Sequence, residues 1–164
     1  MKTLVIVRHG KSAWDDPSLS DHQRPLAKRG LRDAPKMGVR LAEYGPPVDR
    51  VISSSAVRAL TTAELVTREM GLPWDEIWVE DSLYHATENE LLDLIQEQEE
   101  YLDGLMLFGH NPGMTYLVND LSDLDLDNLP TCGVAILQFE MENWSEIGEV
   151  LASSAVFDYP KKKD

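Results

Sequence analysis

The 164-residue chain carries 15 Lys and Arg against 29 Asp and Glu, a formal charge of −14, with 43% hydrophobic and 27% charged residues. That size and balance predict one globular domain, residues 1–164, with a genuine core, and so acidic a surface disfavours nucleic acid and anionic membranes as partners. No apolar run approaches the ~20 residues that span a bilayer. The run Leu4 to Val7 is too short for a signal-peptide core, and the single cysteine, Cys132, fits a reducing compartment, so a cytoplasmic location is expected.

Lys2 to Val7 is a continuous apolar, β-branched run, the pattern of a strand buried on both faces. Gly10 to Pro25 is polar and reads as a long surface loop. Ala27 to Tyr44 has helical composition, and Pro35 within it predicts either a kink or a fresh start capped by Asp33. Arg50 to Ser53 is a second strand. Ser54 or Ser55 then caps a helix to about Met70, with Leu60, Ala63, Leu65 and Val66 as its apolar positions and Gly71 as its stop. Glu76 to Glu80 is a third strand, and Thr87-Glu88-Asn89-Glu90 is a capping box for a helix carrying Leu91, Leu92, Leu94 and Ile95. Leu105 to Phe108 is a buried strand, Pro112 to Leu121 a helix, and Thr131 to Glu140 a strand. Glu146 to Tyr159 is expected to supply a hairpin partner, and Lys161 to Asp164 to fray.

Strands and helices in alternation predict an α/β fold, a Rossmann-like three-layer sandwich whose mostly parallel sheet has helices on both faces. Ligands of such sheets bind outside the carboxyl ends of the strands. The first strand ends in Arg8-His9-Gly10 and the fourth in Gly109-His110-Asn111-Pro112-Gly113, while the second leads through Ser53-Ser54-Ser55 into a helix carrying Arg58. Taken singly, each of these residues is more often structural than functional. Three strands delivering His, His and Arg to one edge, together with Arg8, point instead to a phosphate pocket containing a nucleophile.

Two guanidiniums grip phosphoryl oxygens, a neutral imidazole attacks phosphorus, and a second, protonated imidazole donates to the transferring group. Backbone N–H groups at the helix start near Ser55 would add to the anion site. The chemistry calls for no metal and no cofactor. Gly10-Lys11-Ser12 lacks the first glycine of a P-loop, since position 5 is Val5, and Cys132 has Gln138 rather than an arginine six residues on. No zinc motif is present, although His22 and His85 stand outside these arguments.

At these residues the chain resembles the histidine phosphatase superfamily, the phosphoglycerate mutase-like proteins: Arg8-His9-Gly10, then Ser54-Ser55-Ala56-Val57-Arg58, then Gly109-His110. The resemblance implies that His9 accepts the phosphoryl group and that Arg8, Arg58 and His110 complete its pocket. Lys11 to Asp16, Asp21 to Leu26, Leu83 to Ala86 and Gly109 to Gly113 are similar to small phosphohistidine phosphatases of the SixA type.

Where the mutases carry a glutamate acid in an L-x-E segment, this chain reads Leu83-Tyr84-His85. His85 is therefore a candidate proton donor, or else a surface histidine before the Thr87 cap. Arg24 could reach the phosphate or stabilise its turn, and Asp15 and Asp16 could meet the substrate or simply face water. The expected substrate is a phosphohistidine-bearing protein, with a small phosphorylated metabolite as the alternative and a non-catalytic phospho-ligand binding module as the third reading.

Overall fold

The computed structural model describes residues 1–162. Its six strands are β1 (Lys2–Arg8), β2 (Arg50–Ser54), β3 (Trp78–Glu80), β4 (Gly104–Gly109), β5 (Val134–Phe139) and β6 (Ser154–Asp158), joined by helices α1 (Lys28–Tyr44), α2 (Val57–Glu69), α3 (Glu88–Gln96) and α4 (Gly113–Leu121). They form one sheet in the order β3-β2-β4-β1-β5-β6. The first four in that order run parallel, while β5 lies antiparallel to both β1 and β6. The result is the expected α/β architecture, with the Glu146–Tyr159 segment supplying the antiparallel partner through β6.

Strand alternation builds the three layers. Leu4 and Ile6 of β1, Leu105 and Leu107 of β4, and Ala135 and Leu137 of β5 pack against Leu91 and Ile95 of α3 and Leu117 and Val118 of α4. Their neighbours Val5, Val7, Met106, Phe108, Val134 and Ile136 face Ala34, Met37 and Leu41 of α1 and Ala63 and Val66 of α2. A period of two places successive side chains in opposite cores, so a continuous apolar run is what a central strand of such a sandwich requires.

Three local expectations are corrected. α1 runs unbroken through Pro35, and Asp33 is buried inside it rather than capping a second helix. α2 begins from Ala56, with no side-chain cap, and buries Ala59, Thr62, Ala63, Val66 and Thr67 rather than Leu60 and Leu65, which are only half-buried. Small residues on that face let α1 approach closely: a Cβ at Gly38 would lie 2.7 Å from the Val66 carbonyl oxygen. The tail is anchored as far as Lys162, because Lys36 and Arg40 donate to the Pro160 carbonyl and Arg40 also reaches that of Lys162. The expected fraying of Lys163 and Asp164 lies outside the described residues.

The capping box forms as read: Glu90 N–H donates to Thr87 Oγ1 at 3.3 Å, and Thr87 N–H to Glu90 Oε1 at 3.1 Å.

Gly30, in the first turn of α1, is the fold feature that bears most directly on the strand ends. A Cβ there would lie 2.5 Å from the Lys11 carbonyl oxygen, and Gly30 Cα lies 3.1 Å from where a Cβ of Gly10 would sit. Alanine in a helix is worth about 1 kcal/mol over glycine, but a fixed backbone oxygen must move here. Overpacking of that kind costs about 1–3 kcal/mol. Gly30→Ala is therefore expected to lower the denaturation midpoint despite its better helix propensity; a raised midpoint would show that the Lys11 carbonyl yields freely.

Candidate active site

β2, β4 and β1 are adjacent and parallel, so their carboxyl ends open side by side. In register, Arg8 pairs with Gly109 and Ser53 with Phe108. The backbone N–H of His9 continues the ladder, donating to the Gly109 carbonyl at 3.1 Å. His110 follows Gly109 directly, and the His9 and His110 ring centroids lie 5.1 Å apart.

His9 is 8% exposed. Its Nδ1 lies 2.7 Å from the Gly10 carbonyl oxygen, which can only accept, so Nδ1 carries the ring proton and Nε2 keeps a lone pair. Gly10 is fixed in turn: its N–H donates to Thr62 Oγ1 at 3.0 Å, and that hydroxyl donates to the Arg58 carbonyl at 2.7 Å. Behind the loop, the Cys132 N–H donates to the carbonyls of both Arg8 and His9 at 3.1 Å. Burial pushes the Cys132 thiol up to about 12, so this sulfur is an inert packing atom.

Burial first, then the nearby Arg58, Arg8 and Arg24 charges, push His9 down to about 4, against the rise from its bond to Gly10. The neutral, nucleophilic form is thus the resting one at neutral pH. A histidine held neutral in the fold and protonated in the unfolded chain disfavours folding as pH falls from its ordinary 6.5 towards about 4. The stability of the wild type relative to His9→Gln should therefore decline across that window. Equal pH dependence in both proteins, measured by thermal unfolding, would mean that His9 titrates normally.

His110 is 5% exposed, with Nε2 2.8 Å from Ser54 Oγ. Ser54 Oγ already accepts from Ala56 N–H at 3.2 Å, which leaves its own proton to donate to Nε2 and puts the His110 ring proton on Nδ1. That same bond takes up one of the N–H groups expected to be free near Ser55. Burial, then the charges of His9, Arg58 and His85, push His110 down to about 3. It is therefore a neutral N–H donor in the resting site rather than the protonated imidazole expected from sequence.

Arg58, 3% exposed, gives Nη1 to the Asp21 carbonyl at 2.6 Å and Nη2 to Asp21 Oδ2 at 3.0 Å. Arg8 gives Nη1 to the Leu129 carbonyl at 3.0 Å. Asn111 Nδ2 shares that carbonyl, at 2.9 Å, and so ties the loop before α4 to Arg8. Among the described residues, three buried side-chain nitrogens have no hydrogen-bond partner: Arg8 Nε, Arg58 Nε and His110 Nδ1. Each belongs to one of the four strand-end residues. Buried donors left unpaired cost about 1–3 kcal/mol each, a cost that an oxyanion beside them would remove.

The remaining candidates separate. Arg24 spends its guanidinium within the loop, on Asp21 Oδ1, on Ser12 Oγ at 2.7 Å and on the Ala13 carbonyl, and it stacks on Trp14 at 3.4 Å. It braces the turn and reaches His9 only through its charge. His85 is brought to the rim, its ring 5.6 Å from that of His110 and its Nε2 3.3 Å from Asp21 Oδ2. Its backbone is left-handed, φ 56°, a conformation that costs a non-glycine residue energy and gathers at functional sites. Asp15 and Asp16 are exposed, and Asp16 accepts from Ser18. His22 lies 2.8 Å from Ser55 Oγ and edge-on to Tyr84. No group of three or more His, Cys, Asp or Glu among the described residues is arranged to hold a metal ion.

Two participants were not singled out from sequence, Asp21 and Tyr84. Asp21 takes bonds from Arg58, Arg24 and the Tyr84 hydroxyl and faces His85. The Tyr84 bond, then those from Arg58 and Arg24, hold its carboxyl far below the usual carboxylate range, against a smaller opposing push from burial. Only the spacing Asp21-x-x-Arg24, an i,i+3 ion pair, hinted at it.

Known proteins resemble this chain in sequence and in fold. A sequence model of the histidine phosphatase superfamily (branch 1) matches residues 4–83. An uncharacterized chloroplast protein of Arabidopsis thaliana is 31% identical over 153 residues, covering 88% of this chain and 70% of that one. A 2,3-bisphosphoglycerate-dependent phosphoglycerate mutase 2 of Bacteroides thetaiotaomicron is 32% identical over 134 residues, 78% of this chain but 53% of the mutase.

Among solved structures, a protein assigned as the phosphohistidine phosphatase SixA of Agrobacterium tumefaciens superposes with a TM-score of 0.76 at 27% identity, covering 85% of this chain and 92% of that one. Another SixA assignment, from Nakamurella multipartitia, shares the fold with a TM-score of 0.79 at 23% identity over 98% and 97% of the two chains. With the phosphoglycerate mutase-like fold, the Arg8-His9-Gly10 strand end and these relatives in agreement, the chain belongs to the histidine phosphatase superfamily as a phosphatase of the SixA type.

Proposed function

We propose that this protein removes phosphoryl groups from phosphohistidine in a protein substrate, through a covalent phosphohistidine intermediate on His9. The observation that carries the reading is the His9 ring itself. Its proton is fixed on Nδ1 by Gly10, its Nε2 lone pair is left unshared, and the three unpaired donors belong to the residues around it. Nε2 attacks phosphorus as the bond from phosphorus to the substrate nitrogen breaks. Arg8, Arg58 and His110 Nδ1–H hold the equatorial oxygens, where charge accumulates. The departing imidazole takes a proton from His85, which in the second step takes one from the water that attacks phospho-His9 and releases inorganic phosphate.

A histidine in place of a carboxylic acid suits a nitrogen leaving group, which departs more readily than an alkoxide. His85 is 58% exposed at the rim, within reach of a side chain presented by a folded protein. The name of the Agrobacterium relative agrees with this substrate class.

Acid-quenched incubation with a phosphohistidine protein, followed by mapping of acid-labile phosphate, tests the reading. Label on His9 and release of inorganic phosphate are expected. Turnover of small phosphorylated metabolites far above that of any phosphohistidine protein would move the function to the metabolite phosphomonoesterases.

A further inference from the structure

The Asp21 carboxylate sits where a phosphate pocket should least tolerate one. It is bonded to Arg58, which the reading above assigns to the phosphate, and its side chain is 41% exposed. Its oxygens are unequally used. Oδ1 serves Arg24 alone, through Nε and Nη2 at 3.2 and 3.1 Å. Oδ2 takes Arg58 Nη2, the Tyr84 hydroxyl and His85 Nε2 together. The Tyr84 hydroxyl, with Arg58 and Arg24, keeps the carboxylate ionised, and Tyr84 lies against the His85 ring with centroids 4.0 Å apart.

An ionised carboxylate can only accept, so His85 presents Nε2–H to it. The other ring nitrogen, Nδ1, has no hydrogen-bond partner among the described residues. The groups around His85 are Asp21, Tyr84 and His110, with Arg58 and Arg24 behind Asp21 and His22 behind Tyr84.

We propose that Asp21 is the positioning residue of the leaving-group side of the site: it holds the His85 imidazole through Nε2–H, so that Nδ1 is the ring nitrogen that faces the departing atom and, when it carries a proton, donates it there. This rests on the covalent His9 reading and deepens it. A carboxylate that fixes a ring's orientation is the arrangement by which a histidine is set to exchange protons in catalytic triads. Here one carboxylate also bonds the phosphate-gripping Arg58, so the grip on the transferring group and the proton for the leaving group are set by the same atom. Proton balance is kept. The proton leaves Nδ1 for the departing nitrogen or oxygen as its bond to phosphorus breaks, and it is restored from the attacking water in the second step.

Leaving-group dependence separates this role from a structural one. A nitrophenolate departs without a proton, whereas a phenolate or an alkoxide needs one. Single-turnover labelling rates would be measured with nitrophenyl, phenyl and alkyl phosphates on wild type, Asp21→Asn, His85→Gln and the double variant, each checked for folding by thermal unfolding.

Asp21→Asn loosens Arg58 and should slow every ester by a common factor. Beyond that factor, the alkyl ester should lose about 100-fold relative to the nitrophenyl ester, the lower range for a lost general acid. His85→Gln should steepen the dependence equally, and the double variant should add little to that ratio, since both substitutions remove one device. Parallel loss across all esters in Asp21→Asn would overturn the proposal and leave Asp21 as a brace for Arg58. Absence of phosphoenzyme from the wild type with every substrate would overturn the His9 reading beneath it, a distinct result.

Discussion

His9→Ala is expected to abolish both turnover and acid-labile labelling while leaving the protein folded. The substitution removes the proposed attacking atom: of the His9 and His110 ring nitrogens, His9 Nε2 is the one left with a free lone pair, since His9 Nδ1 is engaged by Gly10 and His110 Nε2 by Ser54. The proposed covalent catalysis is a sequence of two displacements at phosphorus, and without the first there is no intermediate for water to attack. Folding should survive, because the backbone bonds that hold position 9 in the sheet come from Gly109 and Cys132 rather than from the ring. The lost ring also relieves the chain of a histidine that burial forces to stay neutral. Rates and label are read on a variant whose unfolding transition matches the wild type's. Turnover within about tenfold of wild type would leave the nucleophile unassigned.

The second large effect is expected at Arg58. Arg58→Ala should cost at least ~100-fold in kcat, the magnitude seen when one donor to a developing oxyanion is removed. Binding should suffer less than chemistry, because charge on the equatorial oxygens is greatest in the transition state. Arg58→Lys should recover little. The two Asp21 bonds fix a planar fork, and a single ammonium on a flexible stem cannot hold both while presenting a further donor. Comparison of kcat and KM for the two variants checks this. A loss confined to KM would mean that Arg58 binds ground state and transition state alike.

Much of the site could be read from strand ends. Arg8, His9 and His110 stand directly after apolar runs that can only be central strands, and Arg58 stands in the first turn of the helix after another. Sequence position therefore fixes their place in space once the sheet is parallel. Asp21 was not legible in this way. It lies in a segment without periodicity, 37 residues from Arg58 and 63 from Tyr84, and a carboxylate in a polar loop looks the same whether it meets water or two arginines.

The protonation state of His110 was hidden for a related reason, since it depends on burial that only the assembled core supplies. The fresh helix start offered as one reading at Pro35 does not occur, because the other turns of α1 bury Ala34, Met37 and Leu41, and that packing outweighs one missing backbone bond. In α2 two of the four apolar positions, Ala63 and Val66, are buried as read, whereas close contact with α1 buries Ala59, Thr62 and Thr67 rather than Leu60 and Leu65.

The ladder bond from His9 N–H to the Gly109 carbonyl makes the spacing of the two histidines a property of the sheet. Their backbones are extensions of neighbouring central strands, among the last elements of such a domain to exchange their amide protons with solvent. Local fluctuation can move the rim, where His85 and Trp14 are exposed, but it cannot pull the nucleophile from its neighbour without separating β1 from β4. The two histidines are thus tied to the kind of region that opens last in such domains. Drift during evolution can reshape what approaches the rim, while His9 and His110 stay side by side for as long as the chain folds at all.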